Sequence, residues 1–520
     1  MKEEPVPIEK QIRERTRNQG SLIARNSVIN FVGAALPMVL GVVTIPSIIR
    51  GLGTDRFGVL SMVWMVLGYF GFIDLGLGRA ATKFVAEALG RGEEKKVPQI
   101  VWTAVAIQAA LGLIGTFLLM AITPPLVNRF FNIPPHLIGE TKKAFYLLAL
   151  SIPVSLVSVS LRGVLEAAQR FDLVNLVKAP SSMATFLLPL IGVMTGLSLP
   201  GIVTLLFMAR AASMIVFLFL CFEVSPNLRS AFTIQKGIVG PLFVYGGWVT
   251  VSNVVGPFLS YMERFLIAHL LSIGALTFYA APYEMISRVA IFPASIAAAL
   301  FPAFSYQGTN DPIALREMFS RPLKYLLFIV TLTSAILFVF AKQILGAWLG
   351  DEFARSSTTV FQVLVACFFL NSLAHVPVTA IQGLGRPDLK GKLDLIELPV
   401  YFALCWWLIP QVGLAGAALA KLGITIIDMF SLFWLVNRVF ISSSQMLSSV
   451  RLDKAVVVSG TFTFAILLLE LVSKPSTLHI AMLFVFVSGY IFLFLKAAMD
   501  ERDWSAMRGV WKHFGGRLLV

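Results

Sequence analysis

Gly201 to Phe222 reads GIVTLLFMARAASMIVFLFLCF, twenty-two residues whose one charge, Arg210, stands near the middle. A helix rises about 1.5 Å per residue, so the stretch is long enough to cross the ~30 Å hydrocarbon core of a bilayer. An arginine at that depth costs about 2.5–3.5 kcal/mol on insertion scales. Two questions follow. How many such stretches does the chain hold, and what keeps Arg210 there?

Working outward gives fourteen apolar stretches: 27–49, 57–78, 99–122, 144–165, 174–196, 201–222, 238–260, 276–304, 323–341, 358–382, 393–410, 413–436, 455–472 and 478–496. The spans at 276–304 and 358–382 are long and contain Pro, which predicts tilt or a kink. Only Pro410, Gln411 and Val412 separate the pair 393–410 and 413–436, which predicts a tight hairpin. Runs of this length cross as helices, not as barrel strands. The expected fold is an all-α polytopic membrane protein with about 14 transmembrane helices.

Composition agrees. The 520 residues are 57% hydrophobic and 13% charged, with mean hydropathy +0.82. Soluble domains carry about 25% charged residues, so a soluble enzyme, a nucleic-acid binder and a disordered chain are excluded. The net charge of +14 is explained by where the bases sit. Thirty of the 42 Lys and Arg fall on the N-terminal side of the membrane, in its eight stretches or, for Arg162, Lys178, Lys324 and Lys496, at the span ends that border them, and 9 fall on the other side. That bias places both termini in the cytoplasm. The remaining three, Arg210, Arg288 and Lys421, lie deep within spans, away from their ends. The N-terminal arm with its six bases does not read as a cleaved signal. Trp504, Met507, Trp511, Phe514 and Leu518 recur at helical spacing and predict a tail lying on the inner leaflet. Cys221, Cys367 and Cys405 sit in apolar runs and read as buried thiols. The five His have no metal-type spacing, and no metal is expected.

The chain repeats itself. Arg170-Phe171-Asp172-Leu173 follows the fourth span, and Arg386-Pro387-Asp388-Leu389 follows the tenth, 216 residues later. Asn30 and Pro37 in the first span correspond to Asn253 and Pro257 in the seventh. This predicts two parallel six-helix bundles, pseudo-symmetric about a central cavity. The expected divisions are an N-terminal arm (1–26), a first bundle (27–230), a second bundle (231–440), an added helix pair (441–496) and an amphipathic tail (497–520).

Three intramembrane bases together cost about 9 kcal/mol unless they face water or a partner. Arg288 lies one turn after Glu284, so the two share a face. They form either a self-neutralising pair or an anion contact beside a coupling carboxylate. Lys421 and Asp428 are two turns apart in the twelfth span, and Arg210 is the base near the middle of the sixth, the equivalent span of the first half. Arg50 and Arg264, with Arg56, Glu263 and His269, lie at the predicted outer ends of spans. They read as a solvated rim or as further cavity cations. Asp74 is a helix-end carboxylate near Arg79 or a third coupling candidate beside Glu284 and Asp428. Asn30 and Asn253 are candidate cavity polar groups.

Ile45-Pro46-Ser47-Ile48-Ile49-Arg50-Gly51-Leu52-Gly53, Phe57-Gly58-Val59-Leu60-Ser61 and Phe72-Ile73-Asp74-Leu75-Gly76-Leu77-Gly78 together resemble a family signature. It is the N-terminal signature of the polysaccharide and O-antigen (Wzx-like) flippases, in the multidrug/oligosaccharidyl-lipid/polysaccharide exporter superfamily. Gln169-Arg170-Phe171 and Gln382-Gly383-Leu384-Gly385-Arg386-Pro387 resemble that family's inner loops after the fourth and tenth helices. The resemblance implies a cationic cavity that opens alternately to each side. It implies undecaprenyl-diphosphate-linked oligosaccharide as substrate, moved across the bacterial inner membrane. Coupling to protons, sodium ions or the membrane potential is left open, and no cofactor is expected. Expected partners are the lipid-linked substrate, membrane lipids and polysaccharide polymerase with other assembly proteins, around a monomer, with no nucleic acid. A peptidoglycan-precursor flippase, a drug/cation antiporter and a membrane-embedded glycosyl- or acyltransferase are the alternatives. The antiporter wants cavity carboxylates, and the transferase wants an outer-loop acid pair or a membrane-edge His.

Overall fold

The computed structural model describes residues 37, 39–67, 77–168, 170–229, 258–296, 300, 304, 312–439, 450–472 and 477–504. Asn30, Asp74, Asn253, the N-terminal arm and residues 505–520 of the tail lie outside the described residues. The described residues are helical and contain no strand. In chain order the helices are α1 (39–67), α2 (Leu77–Gly90), α3 (Val97–Pro125), α4 (Ile138–Ala167), α5 (Phe171–Met194), α6 (Leu199–Val224), α7 (258–270) and α8 (Ile273–Val289). There follow α9 (Pro312–Val339), α10 (Ala341–Leu349), α11 (Asp351–Gly383), α12 (Pro387–Val412), α13 (Leu414–Val439), α14 (Leu452–Val472) and α15 (Thr477–Ala497).

The chain is a multi-pass membrane protein. Among the described residues nine helices are long and apolar enough to cross: α3 to α6, α9 and α11 to α14. They correspond to nine of the fourteen expected spans. The other five each include residues or side chains outside the described set. Ile114, Phe117 and Leu118 on α3 and Trp406 and Trp407 on α12 are exposed, as lipid-facing side chains must be. Cys221, Cys367 and Cys405 are buried free thiols.

Two tight corners rest on glycine. Gly53 (φ +78°) bends α1, and Gly413 (φ +65°) reverses the chain between α12 and α13 as the hairpin reading expects. Proline shapes the rest. Pro153 has no N–H, so the Ala149 carbonyl of α4 loses its usual donor. The Thr116 hydroxyl of α3 donates to that carbonyl at 2.8 Å, sharing its proton with the Gly112 carbonyl at 2.9 Å. After Pro124 and Pro125 the end of α3 widens into a looser turn, Leu126–Phe130.

The repeat is visible in hydrogen bonds. At the α4–α5 corner the Arg170 N–H donates to the Leu165 carbonyl (2.9 Å) and Ala168 to Val164 (3.0 Å). At the α11–α12 corner Arg386 donates to Ile381 (3.0 Å) and Leu384 to Ala380 (2.9 Å). Every partner is displaced by the same 216 residues. Arg170 Nε meets Asp172 at 3.0 Å, and Arg386 Nε meets Asp388 at 3.0 Å. Each aspartate opens the first turn of its helix, where the helix dipole favours negative charge.

The chain packs as two compact units, 1–277 and 278–520. The division by sequence repeat lies at 230/231, and the packing division lies within α8. In the first unit, α7 and the start of α8 are held by Asn132. Its N–H donates to the Ala268 carbonyl (2.8 Å), its amide to Leu271 (2.7 Å), and its carbonyl accepts from Ile273 (3.1 Å). In the second unit, α14 packs on α9 and on α15. The segment after α15 is tied to α9. Lys324, fully buried, donates to Asp503 and to the carbonyls of Val450 (3.0 Å) and Ala498 (3.2 Å). Arg321 reaches Asp503 at 2.7 Å and Asp500 at 3.2 Å, and the Tyr325 hydroxyl donates to Asp503 at 2.6 Å.

Candidate functional site

Residues three or four apart on a helix share one face. On α4 that face presents Ser155, Ser158 and Arg162; on α5, Lys178, Ser181 and Ser182; on α6, Arg210 and Ser213. The three faces meet in a cavity of about 220 Å³ within the first unit. Arg210 Nη1 lies 3.5 Å from Ser155 Oγ, and Arg162 pairs with Glu166 at 3.1 Å. Ser158 and Ser213 donate to backbone carbonyls one turn back (2.7 and 2.9 Å). A hydroxyl rotates freely, so each can turn its proton to an oxyanion instead. Three bases against one paired carboxylate leave the cavity positive. Its chemistry suits an anion of about two charges, with guanidinium groups able to bind phosphate oxygens in pairs.

The structure brings Arg210 together with Arg162 and Lys178, which sequence reasoning counted as orientation signals. All three lie within membrane-length helices. Arg50 is exposed on α1 and is not among the residues lining this cavity. Arg264 is 2% exposed, with its guanidinium 5.0 Å from the centre of the Tyr261 ring, and likewise does not line it. Arg56 is engaged by Glu140 at 3.0 Å, which also accepts from the Leu199 N–H at 2.9 Å. His269 stacks on Phe130 with ring centres 4.2 Å apart.

The second unit holds the other predicted residues. Arg288 and Glu284 are paired at 2.9 Å, the ion pair their spacing allows. Lys421 stands over the Tyr401 ring at 5.1 Å and lines a smaller cavity of about 80 Å³ with Tyr283, Ser287, Asn371 and His375. Asp428, two turns beyond Lys421, is bound by Lys390 at 2.5 Å. Lys390 also meets Asp394 (2.8 Å) and Glu397 (3.9 Å). Sequence reasoning missed Asp394 and Glu397. Their signal was present: Lys390, Asp394 and Glu397 follow at steps of four and three.

Comparison with known proteins agrees with this architecture. Residues 23–307 match the family model described as polysaccharide biosynthesis protein. A putative O-antigen transporter of Shigella flexneri is 30% identical over 418 residues, covering 80% of this chain and 98% of the relative. Among solved structures, the lipid II flippase MurJ in an inward closed conformation aligns with a TM-score of 0.69 at 12% identity, covering 91% of this chain and 98% of that one. An inward-facing multidrug resistance MATE family transporter of the MOP superfamily gives 0.67 at 12% identity, covering 78% and 97%. At such identities the structural likeness speaks for the fold alone. The family match and the Shigella relative carry the assignment further: the chain belongs to the polysaccharide biosynthesis protein family.

Proposed function

We propose that this protein is a flippase that moves polyprenyl-diphosphate-linked oligosaccharide across the bacterial inner membrane by alternating access. The observation that carries the reading is the serine-lined cavity with Arg162, Lys178 and Arg210. A diphosphate and a hydrated sugar chain cannot cross hydrocarbon without a polar path. The three bases would offset the diphosphate charge, the hydroxyls would take phosphate and sugar oxygens, and the prenyl chain would stay in lipid. Lys421 and Arg288 are proposed as further substrate contacts in the second unit, and Arg50, exposed on α1, as a contact at the outer mouth, joined by Arg264 only in a conformation that uncovers its buried side chain. The relative named as an O-antigen transporter supports the substrate class. The basic bias of the loops supports cytoplasmic termini. Polysaccharide polymerase is the proposed partner on the outer side.

A drug/cation antiporter fits less well, because a positive cavity repels a cationic substrate. The test is reconstitution in vesicles with two substrates, a polyprenyl-diphosphate-linked oligosaccharide and a lipophilic drug cation. Translocation of the first alone is expected. Translocation of the cation alone would overturn the reading.

A further inference from the structure

Lys390, Asp394, Glu397 and Asp428 lie within membrane-length helices, three on α12 and one on α13. One lysine faces three carboxyl groups, at 2.8 Å (Asp394), 2.5 Å (Asp428) and 3.9 Å (Glu397). Lys390 offsets one negative charge. Two further ionised carboxylates beside each other in a low-dielectric setting are strongly disfavoured.

Glu397 marks where the imbalance is resolved. Its side chain is 4% exposed. Its Oε1 has no hydrogen-bond partner among the described residues. A carboxylate needs all its lone pairs solvated, and a neutral carboxyl group tolerates one bare oxygen far better. Glu397 and Asp428 both approach the one Lys390 ammonium, so their carboxyl groups stand near each other. A proton held by either carboxyl group can be donated to the other. Asp428 and Lys390 keep about a fifth of their side chains exposed (22% and 19%), which leaves a way in for protons. Among the described residues, His375 on α11 and Lys421 on α13 line a common cavity, and Lys421 lies two turns before Asp428 on the same helix.

We propose that these four residues form a proton-binding site in which Glu397 and Asp428 share one exchangeable proton, and that loading and emptying it couples a proton gradient to transport. The coupling half rests on the flippase reading; the proton-binding half does not. The proton comes from water, sits between the two carboxyl groups and returns to water, while Lys390 stays charged and holds Asp394. Emptying the site leaves an extra negative charge beside Lys390, which favours a rearrangement of α12 against α13.

Infrared difference spectroscopy of the purified full-length protein tests the site directly. The wild type is expected to show the carbonyl band of a protonated buried carboxyl group at neutral pH. Glu397→Gln, nearly isosteric, should lose it with unchanged thermal unfolding. Lys390→Met should keep the band to higher pH, and Asp428→Asn should lose it at lower pH, each by about one pH unit. A merely structural cluster would not give these opposite shifts. In vesicles, an imposed pH gradient should speed oligosaccharide translocation by wild type and not by Glu397→Gln. A band unchanged in Glu397→Gln, or none in wild type, overturns the proposal. So does an unchanged gradient response in that variant. A protein that shows the band and its shifts but moves no lipid-linked oligosaccharide would keep the proton site and overturn the flippase reading.

Discussion

Arg210 stands in the middle of an apolar run, and a charge there needs a reason. The reason is shared. Arg162 lies near the end of α4 and Lys178 two turns into α5, so each reads in one dimension as a flanking base. Only the meeting of three helix faces turns them into one cavity with Arg210. That is why Arg210 was legible in the sequence and its companions were not. Charge-assisted hydrogen bonds contribute about 1.5–3 kcal/mol. Lys178→Ala or Arg210→Ala should therefore slow oligosaccharide translocation about 10- to 100-fold. Protein yield in the membrane, measured on the same cells, should stay unchanged. Equal slowing of a neutral, phosphate-free lipid-linked sugar would count against a role at the diphosphate.

At the scale of elements, each Pro within a helix leaves a carbonyl to be satisfied. For Pro153 the donor comes from Thr116 on the neighbouring helix, which ties α3 to α4 at a definite height. Thr116→Val keeps the shape and removes the donor. It should destabilise the protein by about 1–2 kcal/mol, read as a lower midpoint of thermal unfolding in detergent; an unchanged midpoint would refute this account of the contact. Gly58 makes a similar tie between α1 and α8. A Cβ there would sit 2.0 Å from the Ile273 carbonyl oxygen. The helices themselves were readable, because a run of about 20 apolar residues has one spanning solution. The corner repeat was readable too, since Arg170 to Leu173 and Arg386 to Leu389 carry the same chemistry. What one dimension hides is the partner across the bundle, such as Lys390 for Asp428.

At the scale of the whole molecule, the second unit is closed by its own C-terminal segment. Lys324, Arg321 and Tyr325 on α9 hold Asp503, which is fully buried. Sequence reasoning counted Lys324 among the loop bases, because its acidic partner lies 179 residues away. Breaking a buried pair from one side costs about 3–5 kcal/mol. Asp503→Ala should therefore loosen residues 498–504, seen as faster proteolysis there. Asp500 adds a pH dependence. Burial alone would raise its carboxyl, but the Asp503 N–H and the Arg321 guanidinium outweigh it and hold it at about 2. Its contribution is thus complete above the ordinary carboxylate value near 4 and is lost as pH falls toward 2. Asp500→Asn should flatten that part of the unfolding-against-pH curve; an unaltered curve would contradict the assignment.

The central claim is that a positive cavity in the first unit carries a lipid diphosphate. The most direct measurement is translocation of polyprenyl-diphosphate-linked oligosaccharide in vesicles by the wild type and by a variant with Arg162, Lys178 and Arg210 all replaced by Gln. Transport by the wild type and a loss of at least about 100-fold in the variant are expected. Equal rates for the two proteins would contradict it.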